Sequence, residues 1–398
     1  MKVALVSSSI ARTTSGLGRY DRALLREFEW APELGVHAEL VASAGVSIWG
    51  AGLVKRRAGV DISRFLQTYP VGLVAGRADV LHLTSQTLAS ALWRAPRLPV
   101  VVTVHDIFPY VHRDDPQLTT YGHTPHRWFD AWAMRHLHRA SALITDCRAV
   151  ADDLEVTLNI AHGAIHVIPL GFERSLFRPL HAPPSFWSRY GLDPQRKYVL
   201  HVSSEEPRKN LTRLVRAWPR VVHQTPDAVL LKVGTSHYPR QRTQLLQLVQ
   251  ALRIADSVRI VEVVPDADLV HFYNAAAAFA FPSIAEGFGF PVLEAMACGT
   301  PIVCSDIPAL HELTGDAAIR VNPVDIDALA QAIVRVLGDA PLRAALRERG
   351  LERAEQFAWR RTAAATAEVY RTVLSSAGPG SSPDEKMPEA SLEQCGPC

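Results

Sequence analysis

Cysteine is scarce in this chain: five occur in 398 residues, and Cys147, Cys298 and Cys304 lie singly in apolar segments. No disulfide framework is spelled out, and small buried thiols in a reducing cytoplasm are the expectation. Cys395 and Cys398 enclose Gly396 and Pro397 without a strand before or a helix after, so they read as tail and not as a redox motif. Long apolar runs are also missing. None approaches the roughly 18 residues of a spanning helix, and the nearest, around 275–285, is broken by Pro282. That argues against an integral membrane protein. The opening Met1 to Ile10 carries Lys2, has no small-residue cleavage site and meets Arg12, Thr13 and Thr14 at once, so it reads as a first strand and not a leader. Charge of one sign is lacking too. Lys and Arg number 42 against 40 Asp and Glu, and the longest basic run is Lys55, Arg56, Arg57, so no nucleic-acid partner is implied.

What is present is a globular composition, with 48% hydrophobic and 21% charged residues. Single cores stop growing near about 250–300 residues, so two domains are expected. Short β-branched runs at 2–9, 37–43, 80–84, 99–105, 142–145 and 165–170 alternate with helical patterns such as 18–30 and 150–160. A second series follows the Pro-rich 181–184: runs at 198–203, 228–233, 258–264, 277–281 and 301–305, with helices at 209–222, 240–252, 268–275, 291–297 and 325–337. Near-continuous apolar strands joined by helices predict parallel sheets covered on both faces. The fold class is therefore α/β, with two Rossmann-like domains whose strand ends face each other across a cleft. The expected division is 1–180, 190–355, a helix at 356–374 returning to the first domain, and a Ser-, Pro- and Gly-rich tail at 375–398 too polar to order itself.

The most informative stretch runs Glu286, Gly287, Phe288, Gly289, Phe290, Pro291, Val292, Leu293, Glu294, directly after an apolar strand. Glycines permit close backbone approach, and Pro291 suits the first turn of a helix, where a missing N–H costs nothing. The amides around Phe288 to Phe290 then face an anion, and a helix N-terminus beside a glycine turn is a diphosphate site. Upstream, His201, Val202, Ser203, Ser204, Glu205, Glu206, Pro207, Arg208, Lys209, Asn210 leaves a strand and enters a helix. Cations there sit against the helix dipole, a placement that suits an anionic ligand better than an ordinary helix start. In the first half, a strand ends in His105 and Asp106, while His82 lies inside a strand and reads as structural. Ser15, Gly16, Leu17, Gly18, Arg19, Tyr20 supplies a glycine loop after the first strand, a weak signal on its own.

These motifs together resemble the retaining glycosyltransferases of family four. The family's glutamate, seven residues, glutamate pattern is matched from Glu286 through Ala295, Met296, Ala297, Cys298, Gly299, Thr300 and Pro301 to Val303, and Glu206 to Asn210 is similar to its E-P-R-K-N. Ser203 departs from the family's glycine. The resemblance covers the chain to about residue 374, with Phe357, Ala358, Trp359 and Tyr370 in the returning helix. It implies a GT-B fold and transfer, with retention, of a sugar from a nucleotide-sugar donor. It further implies catalytic roles for His105, Glu286, Arg208 and Lys209, and donor contacts at Gly16, Gly18, Ser204, Phe288, Gly289, Phe290 and Glu294, with Glu294 on the ribose. The form of the upstream motif is similar to mannosyl-type transferases of bacterial surface polysaccharides, which implies GDP-mannose or a relative as donor and a glycan or lipid-linked acceptor.

No metal is expected: Asp266, Ala267, Asp268 and Asp325, Ile326, Asp327 each precede a helix and read as caps. Residues 123–139 mix Trp128, Phe129 and Trp132 with Arg127, Arg135 and Arg139, which suits either an ordinary amphipathic helix or peripheral contact with an anionic membrane. The rival functions are a nucleotide-sugar epimerase or hydrolase of the same fold, a noncatalytic nucleotide-sugar binder, and, more remotely, a nicotinamide dehydrogenase, which lacks its Gly-x-Gly-x-x-Gly turn here.

Overall fold

The structure, a computed structural model, describes residues 1–8, 16–43, 62–73, 77–94, 97–115, 118–119, 124–236, 238–262 and 264–376. The Lys55 to Arg57 cluster, Ser15, His123 and the tail from 377 onwards, with Cys395 and Cys398, lie outside the described residues. Two six-stranded parallel sheets form the body. The first contains β1 (Lys2–Ser7), β2 (His37–Ala42), β3 (Val80–Leu83), β4 (Val100–Val104), β5 (Ala142–Thr145) and β6 (Ile165–Val167), in the order β2-β1-β3-β4-β5-β6. The second contains β7 (Lys197–Val202), β8 (Ala228–Val233), β9 (Val258–Val261), β10 (Ala276–Phe281), β11 (Ile302–Ser305) and β12 (Ala318–Val321), in the order β12-β11-β10-β7-β8-β9. The second order is that of dinucleotide-binding sheets; the first follows the flavodoxin-like order with a sixth strand added.

The strands are where continuous apolar sequence demands burial on both faces. Every residue of β4 and of β8 is buried, Lys232 included. The three described cysteines are buried and free. Strand order reverses beside β1 and β3 in the first sheet and beside β7 and β10 in the second, and ligands of such sheets bind beyond the strand ends at those reversals. Edge strand β12, half-buried and interrupted by Arg320, and the helices Pro308–Thr314 and Ala340–Ala354 were not expected from the sequence.

The helix Trp359–Ser376 returns to pack on the first helix, Gly16–Trp30. Thr362 Oγ1 donates to the Pro169 carbonyl at 2.8 Å, and a Cβ on Gly171 would stand 2.1 Å from the Trp359 nitrogen, so the two interdomain passages of the chain touch. Deeper in, Tyr370 Oη lies 2.6 Å from His82 Nδ1, and His82 Nε2 lies 2.7 Å from Thr103 Oγ1. Burial, followed by the nearby His105, pushes the His82 imidazole down to about 3, so it is a neutral structural side chain, as its position in a strand suggested. Tyr370→Phe strands a buried ring nitrogen at a cost of about 1–3 kcal/mol. The thermal unfolding midpoint of this variant should fall by several degrees; an unchanged midpoint would contradict the contact.

Candidate active site

Both strand-order reversals open on one cleft of about 610 Å³. From the first domain it receives Gly16, Leu17, Arg19, His105 and Asp146, and from the second Ser204, Arg208, Lys209, Glu286 and the turn through Glu294. Thus His105, Arg208, Lys209, Glu286, Gly16, Ser204, Phe288, Gly289, Phe290 and Glu294 are brought together. Gly18 is not. The expected glycine loop is instead the first turn of the helix Gly16–Trp30, and Gly18 is buried inside it, because Leu17 to Tyr20 continue directly into the helical apolar stripe.

Glu286 is the centre of a buried ionic cluster. Lys209 Nζ donates to its two oxygens at 2.6 and 2.9 Å, and Arg208 Nη1 donates to Oε2 at 3.0 Å. Burial alone would raise the Glu286 carboxyl, but Lys209 and Arg208 outweigh it and hold the group below the ordinary carboxylate range. Burial pulls Lys209 below the ordinary lysine value against that attraction. Arg208 is also bound by Glu206 at 2.9 Å and approaches Asp106 of the first domain at 3.9 Å. Both cations are thus already paired with carboxylates. The two cations occupy a short 3₁₀ turn, Pro207–Lys209, and Asn210 in the left-handed conformation redirects the chain into the helix Leu211–Gln224.

The two glycines of the turn have different reasons. A Cβ on Gly287 would lie 1.8 Å from the His105 carbonyl oxygen, so this glycine lets the second domain's backbone press on the first domain's. Cys147 adds a thiol donation to the Gly287 carbonyl at 2.9 Å. Gly289 has φ 103° and precedes the helix Phe290–Cys298, whose N-terminus receives no side-chain cap. A side chain there would be strained and would strike Leu310. The uncapped helix end, with Pro291 in its first turn, opens on the cleft.

His105 follows β4 directly. Its Nδ1–H donates to Asp146 at 2.7 Å and its Nε2–H to the Thr84 carbonyl at 3.1 Å, so both neighbours are acceptors and suit the doubly protonated ring. Burial works against this charge, but the Asp146 carboxylate outweighs it and raises the imidazole above its ordinary 6.5. Tyr20 stands edge-on to the ring at 5.0 Å. Asp146, one residue beyond β5, escaped the sequence reading because the pairing joins two strands 41 residues apart.

Arg19 is the other residue missed. From the first domain it donates to Glu294 and to Asp266 Oδ1, the latter at 3.1 Å, and Tyr273 Oη donates to Glu294 Oε2 at 2.8 Å. The sequence signal was a lone arginine after two glycines; its partner lies 275 residues later. This corrects the reading of Asp266 and Asp268 as caps. The helix Asp266–Ala275 is entered from Pro265 with no side-chain cap, Asp266 pairs with Arg19, and Asp268 takes Arg189 and Tyr190. Asp325 does cap its helix, accepting from the amides of Asp327 and Ala328.

Residues 15–171 match the family described as Glycosyl transferase 4-like domain, and residues 187–353 match Glycosyl transferases group 1, so that the two families together account for most of the chain and for both walls of the cleft. The first half of the chain is that of a 4-like glycosyltransferase and the second half that of a group 1 glycosyltransferase. Among similar proteins, O-antigen chain mannosyltransferase B of Escherichia coli is 37% identical over 174 residues, 44% of this chain and 45% of that one. The MMP alpha-(1->4)-mannosyltransferase of Mycolicibacterium hassiacum is 28% identical over 341 residues, 79% of each chain. The match thus spans less than half of the first relative's length and over three quarters of the second's. Of solved structures, sucrose-phosphate synthase from Thermosynechococcus elongatus superposes with a TM-score of 0.73 at 21% identity, covering 94% of this glycosyltransferase and all of that chain. The HepE protein of Anabaena, in complex with UDP and glucose, gives 0.69 at 20%, covering 94% and all of that chain. Both likenesses establish the GT-B fold.

Removing the Asp146 carboxylate takes away the largest influence that opposes burial at His105, leaving the Asp21 charge and the Thr84 carbonyl. In Asp146→Asn the imidazole should titrate below its wild-type value, as read from ring-carbon NMR shifts. Because the folded value is raised, the stability contributed by this pair is complete below the unfolded histidine's pKa and is lost as pH rises through the raised value. The unfolding midpoints of wild type and variant should accordingly converge towards alkaline pH.

Proposed function

We propose that this glycosyltransferase moves a hexose, mannose from GDP-mannose being the best match, onto a glycan or lipid-linked acceptor of a bacterial surface polysaccharide, with retention of anomeric configuration. The observation that carries the reading is the buried Lys209–Glu286–Arg208 cluster set beside the uncapped helix end at Phe290. That combination suits a departing nucleoside diphosphate: fixed cations and free amides meet the negative charge that accumulates as the glycosidic bond breaks. Mannose is supported by the relatives, several of which are named mannosyltransferases.

The residues divide the work by position. Lys209, Arg208 and the amides of the turn take the diphosphate. Glu286, held charged by those cations, keeps lone pairs for sugar hydroxyls, and His105 faces it from the other domain. Glu294 accepts the ribose hydroxyls. Bringing these groups to fixed places is itself a large part of rate enhancement. Bond breaking leaves the electron pair on the diphosphate oxygen, and that oxygen can receive the acceptor hydroxyl's proton as the new bond forms on the same face. No metal is required by this scheme.

Peripheral contact with the inner face of a membrane is supported by the helix Thr124–His136. Trp128 is 75% exposed and Trp132 44%, whereas Arg127 is held by Asp114 and Arg139 by the carbonyls of Leu92 and Trp93. Arg127, Arg135 and Arg139 are exposed as well, so this segment presents both rings and cations to solvent. Sedimentation with anionic vesicles should weaken in a Trp128→Ala, Trp132→Ala double variant, and equal sedimentation would remove this part of the reading.

The central test is turnover with GDP-, UDP- and ADP-sugars. GDP-mannose should be consumed, and Lys209→Ala should lower kcat by about 10²–10³-fold, the usual loss on deleting one fixed donor to developing charge. Consumption of another nucleotide-sugar in preference would overturn the donor, and unchanged kcat in the variant would overturn the role of Lys209.

A further inference from the structure

The ribose-side carboxylate is completed by the opposite domain. Glu294 is buried on the helix Phe290–Cys298, and its oxygens are divided: Oε1 accepts Arg19 Nη1, and Oε2 accepts Tyr273 Oη at 2.8 Å. The Arg19 fork continues to Asp266 at 3.1 Å, so one planar guanidinium from the first domain ties two carboxylates of the second. A carboxylate oxygen offers two lone-pair sites, so each oxygen of Glu294 retains one, the number a ribose diol needs.

The charge on Glu294 depends on the same contact. Among the described residues that act on it, Tyr273 and Asp266 come from the helix Asp266–Ala275, Cys298 from its own helix and Arg19 from the first domain. Among the described residues, Arg19 is the cation that forms an ion pair with it. Without it the buried carboxyl would face a phenol, a thiol and another carboxylate, surroundings that favour its protonated form. Even with Arg19 present, burial raises the group above the ordinary carboxylate value. A neutral carboxyl is a poorer acceptor for two hydroxyls.

We propose that Arg19 is a positioning residue for nucleotide recognition: reaching across the cleft, it keeps Glu294 charged and oriented, so the ribose site is complete only when the two domains are closed on each other. The proposal rests on the reading of Glu294 as the ribose acceptor. It makes ribose selectivity a property of the closed enzyme and not of the nucleotide-binding domain alone.

The test is calorimetric binding of ADP, GDP and UDP, each beside its 2′,3′-dideoxy form, to full-length wild type, Arg19→Gln, Arg19→Lys and Glu294→Gln over a series of pH values. Circular dichroism and thermal melts verify that each variant is folded. Wild type should prefer the ribose form by about 10-fold or more, the worth of hydrogen bonds to a charged acceptor. Arg19→Gln should lose that preference at neutral pH and regain it only at higher pH, while Arg19→Lys, which restores the charge without the fork, should fall between. Arg19→Gln with the wild-type preference and the wild-type pH midpoint overturns the proposal. Equal weakening of both nucleotide forms at every pH also overturns it, because Arg19 would then act on the phosphates. If Glu294→Gln keeps the preference, or wild type has none, the ribose reading itself falls and the proposal with it.

Discussion

The approach of two backbones at Gly287 and His105 is the constraint on which the site depends. The carbonyl of His105 occupies the space where a side chain on Gly287 would be, and Cys147 and Glu312 add polar contacts between the same two halves, the latter accepting from the Arg148 amide at 2.8 Å. With the domains this close, groups from separate sheets come within bonding distance: Arg19 with Glu294, and Arg208 near Asp106. Neither domain holds a finished site by itself.

Charge is concentrated where water is largely excluded. Glu286, Lys209 and Arg208 are desolvated together, and Glu294 and Asp146 are each buried beside a partner that crosses from another element. Such clusters are weak sources of stability, since desolvation offsets much of the attraction, but deleting one member leaves an uncompensated charge. Their value lies in preorganisation. On the proposed function, the charges that would meet a departing diphosphate are held by fixed partners beforehand, which limits the rearrangement bond breaking needs.

What was legible in the sequence follows from local physics. β5 and β8 were bounded correctly because buried parallel strands must be continuously apolar, and the glycine-rich turn before Glu294 was legible because its residues are adjacent in the chain. β12 was missed because a half-buried edge strand of four residues tolerates Arg320 and shows no pattern. Arg19 and Asp146 were missed for a different reason. Their meaning lies in partners that only the tertiary fold supplies, and no periodicity marks them. Gly287 was read as permitting close backbone approach, and the backbone that comes close is that of the other domain. Asp266 was assigned to its own helix because caps are the commonest use of an aspartate there, and a cross-cleft arginine outcompeted that use.

The contact between Gly171 and Trp359 has a mechanical consequence. The chain passes from the first domain to the second and back again, and the two passages lie against each other at that point. A pair of bodies joined by two adjacent threads keeps far less freedom than a pair joined by one. Translation apart and free tumbling are removed, and what survives is a turn about the crossing, with the mouth of the cleft as its moving edge. Any hinge motion about that crossing would begin from nearly aligned halves and surrender little orientational entropy. By the same logic, a single cut in either thread would leave the halves tethered while enlarging the arc through which they swing.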